Sequence, residues 1–279
     1  MPHHFLRYLF SALLLALPLA AIAQTAEHLP LFDGHMHYNQ EAREVISPQE
    51  VIDLWKRLKI HYVLATSRPN EGSLDLMELA KKTAPSIKIF PFLRPYQIQA
   101  DHYDWFKSEK IRAYVHTELK RGIYKGIGEF HLFGKDAQAP YVVTIAQLAK
   151  ERGLWLHAHC DEYALEQLLA HAPGVKIIWA HTGMSTPLSQ IDALFAKHPQ
   201  IMGELSFRND LLVEEKLDPA WLRLLTKYPT RFMLGTDTWI NQRWTYVPEL
   251  IAYYHKVLAQ LPLPLAENLA FKNGLAALE

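Results

Sequence analysis

The sequence predicts a single-domain (β/α)8 barrel, also called a TIM barrel. Three observations predict it. Short apolar segments recur eight times, segments of helical periodicity lie between them, and polar side chains directly follow five of the apolar segments. Eight alternations in about 250 residues match the size of such a barrel. A doubly wound open sheet would show the same alternation, so the polar side chains have to decide between the two folds.

The composition is that of an ordinary globular protein. The chain has 279 residues, 29 basic and 29 acidic side chains and one cysteine, which excludes a disulfide scaffold or a disordered tail protein. Because there is no basic excess, we expect no nucleic-acid partner. The count that stands out is fifteen histidines, roughly double ordinary usage.

The first 23 residues are predicted to be a secretory signal peptide. Arg7 precedes an apolar run at residues 8–20, and Ala21-Ile22-Ala23 forms a small-residue cleavage site before Gln24. The run is shorter than the roughly 20 residues that span a bilayer. We therefore expect Sec-type export to a bacterial periplasm or to the outside, no membrane anchor after cleavage, and a barrel domain at residues 24–279.

The eight candidate strands are short, apolar and rich in β-branched or aromatic residues, as buried parallel strands are. They occupy residues 31–33, 62–65, 87–90, 126–128, 154–156, 176–179, 201–203 and 232–234. Helices are predicted at 47–58, 74–82, 104–121, 141–152, 162–172, 187–197, 219–228 and 249–261. The first helix has the clearest start, with Ser47 as N-cap, Pro48 at the first helical position and Glu50 two residues later.

Side chains that could bind a metal follow five of the strands. They are His35 and His37, Glu129 and His131, His157 and His159, His181, and Asp237. Since successive strand residues point to opposite faces, His35 and His37 point the same way. Function in parallel sheets collects beyond the carboxyl ends of the strands. Side chains from strands so far apart in sequence meet only if the sheet closes, which favours the barrel.

Neutral imidazoles and carboxylates are ligands for zinc or a similar divalent metal, with manganese as the alternative. A bound ion lowers the pKa of its water from 15.7 to roughly 7 and so supplies hydroxide at neutral pH. Asp237 is then the natural general base. Glu129 could bridge two ions through its two oxygens, so one or two ions are expected.

The ordered set of H-x-H on the first strand, Glu on the fourth, His on the fifth and sixth, and Asp on the eighth resembles the amidohydrolase superfamily. Residues 177–183 and Glu267-Asn268-Leu269-Ala270 look most like its family 2 branch. The resemblance implies that two metals are bound by His35 and His37, by Glu129 as a bridge, by His157 and His181, and by Asp237 as ligand and proton shuttle. Many members of that branch hold one metal and lack the ligand on the fourth strand.

Several residues keep two interpretations. His157 is favoured over His159 as the fifth-strand ligand because it follows the apolar run directly, which leaves His159 to line the pocket. His131 either contacts substrate or supports a ligand. Glu129 could instead pair with an arginine.

Two arginines are candidates for substrate binding. Arg94 follows the third strand and Arg208 the seventh, and a guanidinium group suits a carboxylate or phosphate. The alternative for each is an ordinary salt bridge at the rim.

The sequence thus predicts an exported metal-dependent hydrolase. Its substrate would be a small organic ester, lactone, amide or phosphoester, attacked by metal-activated hydroxide with Asp237 as the base. One alternative is a decarboxylase of the same superfamily that uses one metal. Another is a periplasmic metal-binding barrel without catalytic activity. The sequence leaves the bond that is cleaved and the oligomeric state open.

Overall fold

The computed structural model describes residues 28–279, which form one parallel barrel surrounded by helices. The predicted signal peptide, residues 1–23, lies outside the described residues. Between residues 28 and 279, no helix combines the length and the apolar character needed to cross a membrane.

Eight parallel strands follow one another around the barrel in chain order. They are β1 (Leu31–His37), β2 (Ile60–Thr66), β3 (Lys88–Leu93), β4 (Gly126–Leu132), β5 (Trp155–Cys160), β6 (Lys176–Trp179), β7 (Ile201–Glu204) and β10 (Phe232–Met233). A short antiparallel hairpin of β8 (Leu212–Val213) and β9 (Lys216–Leu217) lies between the last two. The predicted (β/α)8 architecture is confirmed, and the predicted strands 31–33, 126–128 and 154–156 extend further to include the polar residues that follow them.

The barrel closes where β1 meets the segment around β10. The backbone N–H of Gly34 donates to the carbonyl of Leu234 at 2.7 Å. The buried carboxylate of Asp33 accepts from the Thr236 backbone N–H at 2.9 Å and from its hydroxyl at 2.6 Å. These contacts exclude an open doubly wound sheet, because its first and last strands would not be neighbours.

The helices alternate with the strands as predicted. They are α1 (Pro48–Arg57), α2 (Glu71–Thr83), α3 (Glu109–Glu118), α4 (Pro140–Glu151), α5 (Glu162–His171), α6 (Leu188–Lys197), α7 (Pro219–Lys227), α8 (Asn241–Leu258), α9 (Leu263–Glu267) and α10 (Asn273–Leu278). The predicted capping box of α1 is present, since the Glu50 backbone N–H donates to the Ser47 hydroxyl at 3.3 Å and the Glu50 carboxylate accepts from the Ser47 backbone N–H at 2.8 Å.

Two helices differ from their predicted bounds. The predicted helix 104–121 is a single α-helix only from Glu109, because the hydroxyl of Ser108 caps it by accepting from the Ile111 backbone N–H at 3.3 Å. The predicted helix 249–261 begins earlier, at Asn241, and contains Pro248. Buried Trp244 upstream of that proline continues the apolar face of α8.

The half of the barrel interior nearer the N-terminal ends of the strands is filled by a separate apolar cluster. Its members are Phe32, Leu64, Phe90, Phe92, Trp155, Ile178, Met202, Met233 and Leu278. The last of these comes from α10, which covers the N-terminal end of the barrel, and the Trp155 indole N–H donates to the carbonyl of Ala277 there at 3.0 Å. Because this end is closed and apolar, a polar site has to lie at the carboxyl ends of the strands.

Candidate metal centre

The two histidines of β1 lie side by side in the barrel mouth, as the alternation of side chains predicts. Both are fully buried, and their Nε2 atoms are 3.0 Å apart. The pairing of β1 with β2 is irregular between Asp33 and Met36, immediately around these residues. Such irregularities re-aim strand side chains and are frequent beside functional sites.

Asp237 reaches the same point from the other side of the barrel seam. Its Oδ1 atom is 3.0 Å from His37 Nε2 and 3.4 Å from His35 Nε2. Although buried, this oxygen makes no hydrogen bond of acceptable geometry within residues 28–279. Burial raises the pKa of Asp237, but His35 and His37 outweigh burial and hold that pKa well below its usual range. An ionised, buried carboxylate oxygen that faces two imidazoles fits a divalent metal ion.

Glu204, at the end of β7, fixes the orientation of His35. Its Oε2 atom lies 2.8 Å from His35 Nδ1, and both side chains are fully buried. An ionised carboxylate only accepts hydrogen bonds, so His35 carries a proton on Nδ1 and turns Nε2 towards the site. Burial lowers the pKa of His35, but nearby Asp237, Glu129 and Glu204 outweigh burial and raise that pKa well above its usual value. An ion that binds Nε2 therefore has to displace a proton. The close approach requires a glycine at position 235, since a Cβ on Gly235 would lie 2.2 Å from Glu204 Oε1.

The same carboxylate orients His181 through a serine. The Ser206 hydroxyl donates to Glu204 Oε2 at 2.8 Å and accepts from His181 Nδ1 at 2.8 Å. The proton of His181 is therefore on Nδ1, and its Nε2 atom is available at 3.9 Å from Asp237 Oδ2. Burial lowers the pKa of His181 to about 4, so this imidazole is neutral at pH 7. His181 and Asp237 both have positive φ angles, of 57° and 47°, and such strained backbone collects at functional sites.

Glu129 lies between the histidines of the site and the predicted kind of partner, an arginine. One of its oxygens is 3.1 Å from His159 Nδ1, and the other is 3.3 Å from His37 Nε2 and 3.4 Å from the guanidinium of Arg94. Burial raises the pKa of Glu129, but nearby His35 and other imidazoles pull it well below its usual range. Glu129 is thus an ionised carboxylate that faces the histidines and pairs with an arginine.

On β5 it is His159 whose nitrogen reaches the mouth. Its Nδ1 atom is 3.2 Å from His181 Nε2. His157 lies deeper, fully buried, with its ring centroid 4.3 Å from that of His35 and with no hydrogen-bond partner for either nitrogen within the described chain. Burial holds the pKa of His157 well below its usual range. His159 therefore lines the cavity, whereas His157 lies against His35, within ligand distance of His35 and Glu204.

Arg94 holds a histidine instead of facing the cavity. Its guanidinium donates to His37 Nδ1 at 2.7 Å and to the Tyr96 hydroxyl at 2.8 Å. Since arginine only donates, the proton of neutral His37 is on Nε2, and His37 can bind an ion through Nε2 only after that proton has left. The Tyr96 hydroxyl in turn lies 2.9 Å from His131 Nδ1, and burial lowers the pKa of His131 to about 3.

The prediction that Arg208 binds substrate does not agree with its surroundings. Its guanidinium donates twice to the Asp210 carboxylate, at 2.9 and 2.7 Å. It also donates to the carbonyls of Thr186, at 3.1 Å, and Thr182, at 3.4 Å. These bonds fasten the loop after β6 and leave the group no free donor edge for a ligand.

Three polar residues that act on the site were missed in the sequence: Glu204, Ser206 and Tyr96. The first had a signal, because β7 ends in Gly203-Glu204 as β4 ends its apolar run in Gly128-Glu129. The other two had none, since an isolated serine or tyrosine in a loop is ordinary.

A cavity of about 410 Å³ opens beside His159 and His181. Its other walls include Phe133 and Met184, whose side chains remain 41% and 44% exposed. A small molecule can therefore reach the nitrogen atoms of both histidines while its apolar part contacts the walls.

Comparisons with known proteins find solved structures of similar fold. A putative 2-pyrone-4,6-dicarboxylic acid hydrolase from Pseudomonas putida is 14% identical and superposes over 90% of this chain and 98% of its own, with a TM-score of 0.60. A probable enzyme of the same name from Acinetobacter baumannii, with citric acid bound, is 11% identical over 90% and 99%, with a TM-score of 0.59. A zinc-bound amidohydrolase from Burkholderia multivorans is 13% identical over 89% and 98%, with a TM-score of 0.55. No family model and no curated protein matches the sequence. At these identities the likeness shows a shared barrel fold.

Proposed function

We propose that this chain is a metal-dependent hydrolase of the amidohydrolase superfamily that acts on a small organic ester, lactone, amide or phosphoester. The observation that carries the proposal is the buried, ionised carboxylate of Asp237, whose Oδ1 atom faces two imidazole nitrogens. A barrel that only packed its mouth would have no need to gather a carboxylate and several imidazoles at one buried point.

The ion would be held by His35, His181 and Asp237. Their ligand atoms lie within 4.8 Å of one another, and both imidazoles have Nδ1 occupied by an acceptor and turn Nε2 towards the site. His37 is protonated on that nitrogen and so supports the site from beside the carboxylates. Two other fully buried sets, His35 with His37 and Glu129 and His35 with His157 and Glu204, share His35 with the first. Because His35 has only one nitrogen free, we propose one ion, and this donor set suits zinc.

When bound, the ion would lower the pKa of a water molecule to roughly 7 and polarise the bond to be cleaved. The side chains then have separate tasks. Asp237 accepts the proton of the attacking water and passes it to the leaving group. Glu204 keeps His35 in the required tautomer, and Ser206 does the same for His181. Phe133 and Met184 exclude water from one side of the substrate.

A cyclic ester is the first substrate to test. Two of the structural neighbours are named as hydrolases of 2-pyrone-4,6-dicarboxylic acid, and a pyrone is a lactone. The cavity beside His159 is of a size for a single ring with substituents, since ligand pockets range over about 300–1,000 Å³.

The test is a panel of lactones, esters, amides, phosphoesters and carboxylic acids, assayed on zinc- and manganese-loaded protein with metal content measured in parallel. We expect about one ion per chain and hydrolysis of at least one class. Asp237→Asn should abolish turnover, whereas Asp53→Asn, an exposed change on α1, should not. Release of carbon dioxide without hydrolysis would replace the proposal with the decarboxylase. Metal binding without any turnover would favour the non-catalytic barrel.

We further propose that residues 1–23 are a signal peptide and that the protein works outside the cytoplasm. The support is the sequence pattern alone, an apolar run followed by Ala21-Ile22-Ala23. Expression of the full chain in a Gram-negative host, followed by fractionation and N-terminal sequencing, tests it. A periplasmic product beginning at Gln24 is expected, and a full-length cytoplasmic product would contradict it.

A further inference from the structure

We infer that Arg68 binds a carboxylate group of the substrate, so that the substrate is an organic acid with an apolar body. The inference names the substrate class of the proposed hydrolase and rests on it in that respect. The binding itself requires neither turnover nor a metal ion and can be tested separately.

Arg68 is a buried cation without a hydrogen bond. The residue is only 6% exposed, its Nε atom has no partner, and its guanidinium donates to no atom within residues 28–279. The nearest carboxylate oxygen, on Glu41, is 3.7 Å away on a side chain that is itself 55% exposed. Only the Nε atom is both buried and unpartnered. The terminal nitrogens make no hydrogen bond and stay accessible, so a ligand can supply the acceptors that the fold does not.

The other two buried arginines near the mouth have partners for their terminal nitrogens, although the Nε atom of Arg94 also lacks one. Arg94 bonds to His37 and Tyr96 and pairs with Glu129, and Arg208 is saturated by Asp210 and two carbonyls. Both have their charge matched within the fold. Arg68 differs from them in having only a long contact with an exposed glutamate.

The charges around Arg68 indicate that its ligand carries a single negative charge. Burial and the positive charge of Arg94 both lower the pKa of Arg68. Since Glu129 already offsets Arg94, one positive charge is left over. A carboxylate supplies one negative charge and two acceptor atoms in a plane, which match a guanidinium edge, whereas a phosphate dianion would bring a second negative charge.

The loop that carries Arg68 is held rigidly at the mouth. The Arg68 backbone N–H donates to the Asn39 side chain at 3.0 Å, and its carbonyl accepts from the Gln40 backbone N–H at 3.1 Å. The Asn39 amide also donates to the carbonyl of Trp239 at 3.1 Å. Arg68 is thereby fixed beside the loop of Trp239, whose side chain is 41% exposed. A fixed cation near an open aromatic surface suits an acid with an apolar body.

Isothermal titration with benzoate, its uncharged analogue benzamide, and phenyl phosphate tests the inference on the full chain. Each probe is titrated into zinc-loaded and chelator-treated protein, so that binding at the ion is separated from binding at Arg68. We expect benzoate to bind in both forms and benzamide to bind at least about tenfold more weakly. Equal binding of benzamide and benzoate, or no binding of benzoate, would overturn the inference. Tighter binding of phenyl phosphate would overturn the choice of a carboxylate.

Three variants complete the test. Arg68→Gln should weaken benzoate about tenfold or more, whereas Arg43→Gln, which removes an arginine paired with Asp75 outside the site, should not. Glu41→Gln should bind benzoate at least as tightly as the wild type, because it removes the competing carboxylate. If Arg68 only supported the fold through Glu41, both changes at that pair would lower thermal stability and leave benzoate binding unchanged. Should Arg68→Gln fail to fold, Arg68→Lys is the alternative, and it should show intermediate affinity.

Discussion

Replacing Glu204 with glutamine tests the orientation of His35, on which the proposed metal centre depends. The carboxylate accepts from His35 Nδ1 at 2.8 Å inside a fully buried pair. Glutamine has the same shape but keeps only one acceptor oxygen and adds two donors. The Nδ1 proton of His35 is then no longer guaranteed a partner, and the imidazole can turn or change its tautomer.

The expected size of the effect follows from the contacts that glutamine loses. Changes at groups that orient a metal ligand typically cost 10–100-fold in metal affinity, or about 1.4–2.7 kcal/mol. Glu204 also accepts from the Ser206 hydroxyl at 2.8 Å and from the His181 backbone N–H at 3.1 Å. At least one buried donor is therefore left unsatisfied, at a cost of about 1–3 kcal/mol of stability. For a domain of this size each kcal/mol lowers Tm by about 2–4 °C.

Competition with a chromogenic chelator measures the zinc affinity of Glu204→Gln, and circular dichroism measures its thermal unfolding. Glu166→Gln is the matched control, because Glu166 is a partly exposed glutamate on α5 whose partner is Lys197. Its zinc affinity should equal that of the wild type. If Glu204→Gln folds and binds zinc within a factor of two of the wild type, the assigned tautomer of His35 or its role as ligand is wrong.

Three further outcomes are expected. Asp237→Asn should lower kcat at least about 100-fold while keeping much of the bound metal; near-normal kcat would refute its role as base. His159→Ala should lower kcat, whereas His157→Leu should leave both kcat and metal content close to those of the wild type, and the reverse order would support His157 as the ligand. Burial raises the pKa of Asp33 to about 6, so its protonated form is the one the fold favours. Its contribution to stability is present below about pH 4 and is lost as pH rises through 6, by up to about 3 kcal/mol; urea unfolding should show this fall in the wild type and not in Asp33→Asn.

The fold was predictable because strand and helix periods alternate so regularly, and the site because its residues sit where apolar runs end. The spacing of His35 and His37 alone fixes that they share a face. Alternation cannot separate His157 from His159, which share a face too. How deep each histidine lies in the barrel depends on the register between β4 and β5. This register places His159 beside His131 at the mouth and His157 beside Gly128 below it.

The sequence does not show which acceptors the fold supplies to each arginine side chain. Arg94 and Arg208 both follow strands and have the chemistry to bind an anion, yet the fold supplies each with acceptors of its own. Arg68 precedes a proline in a loop and carried no pattern that distinguished it. Which arginine keeps N–H groups available for a ligand depends on distances between loops. Sequence patterns do not predict these distances.

The seam between β1 and β10 has a consequence for how the protein is made. His35 and Asp237 face each other across it, although about 200 residues separate them along the chain, and closing so long a loop costs several kcal/mol of chain entropy. During synthesis the first ligands leave the ribosome long before the last one exists. An ion that links them would therefore bind only to a chain whose barrel is already complete. It would then stabilise the contact between the first and last strands, where the barrel closes.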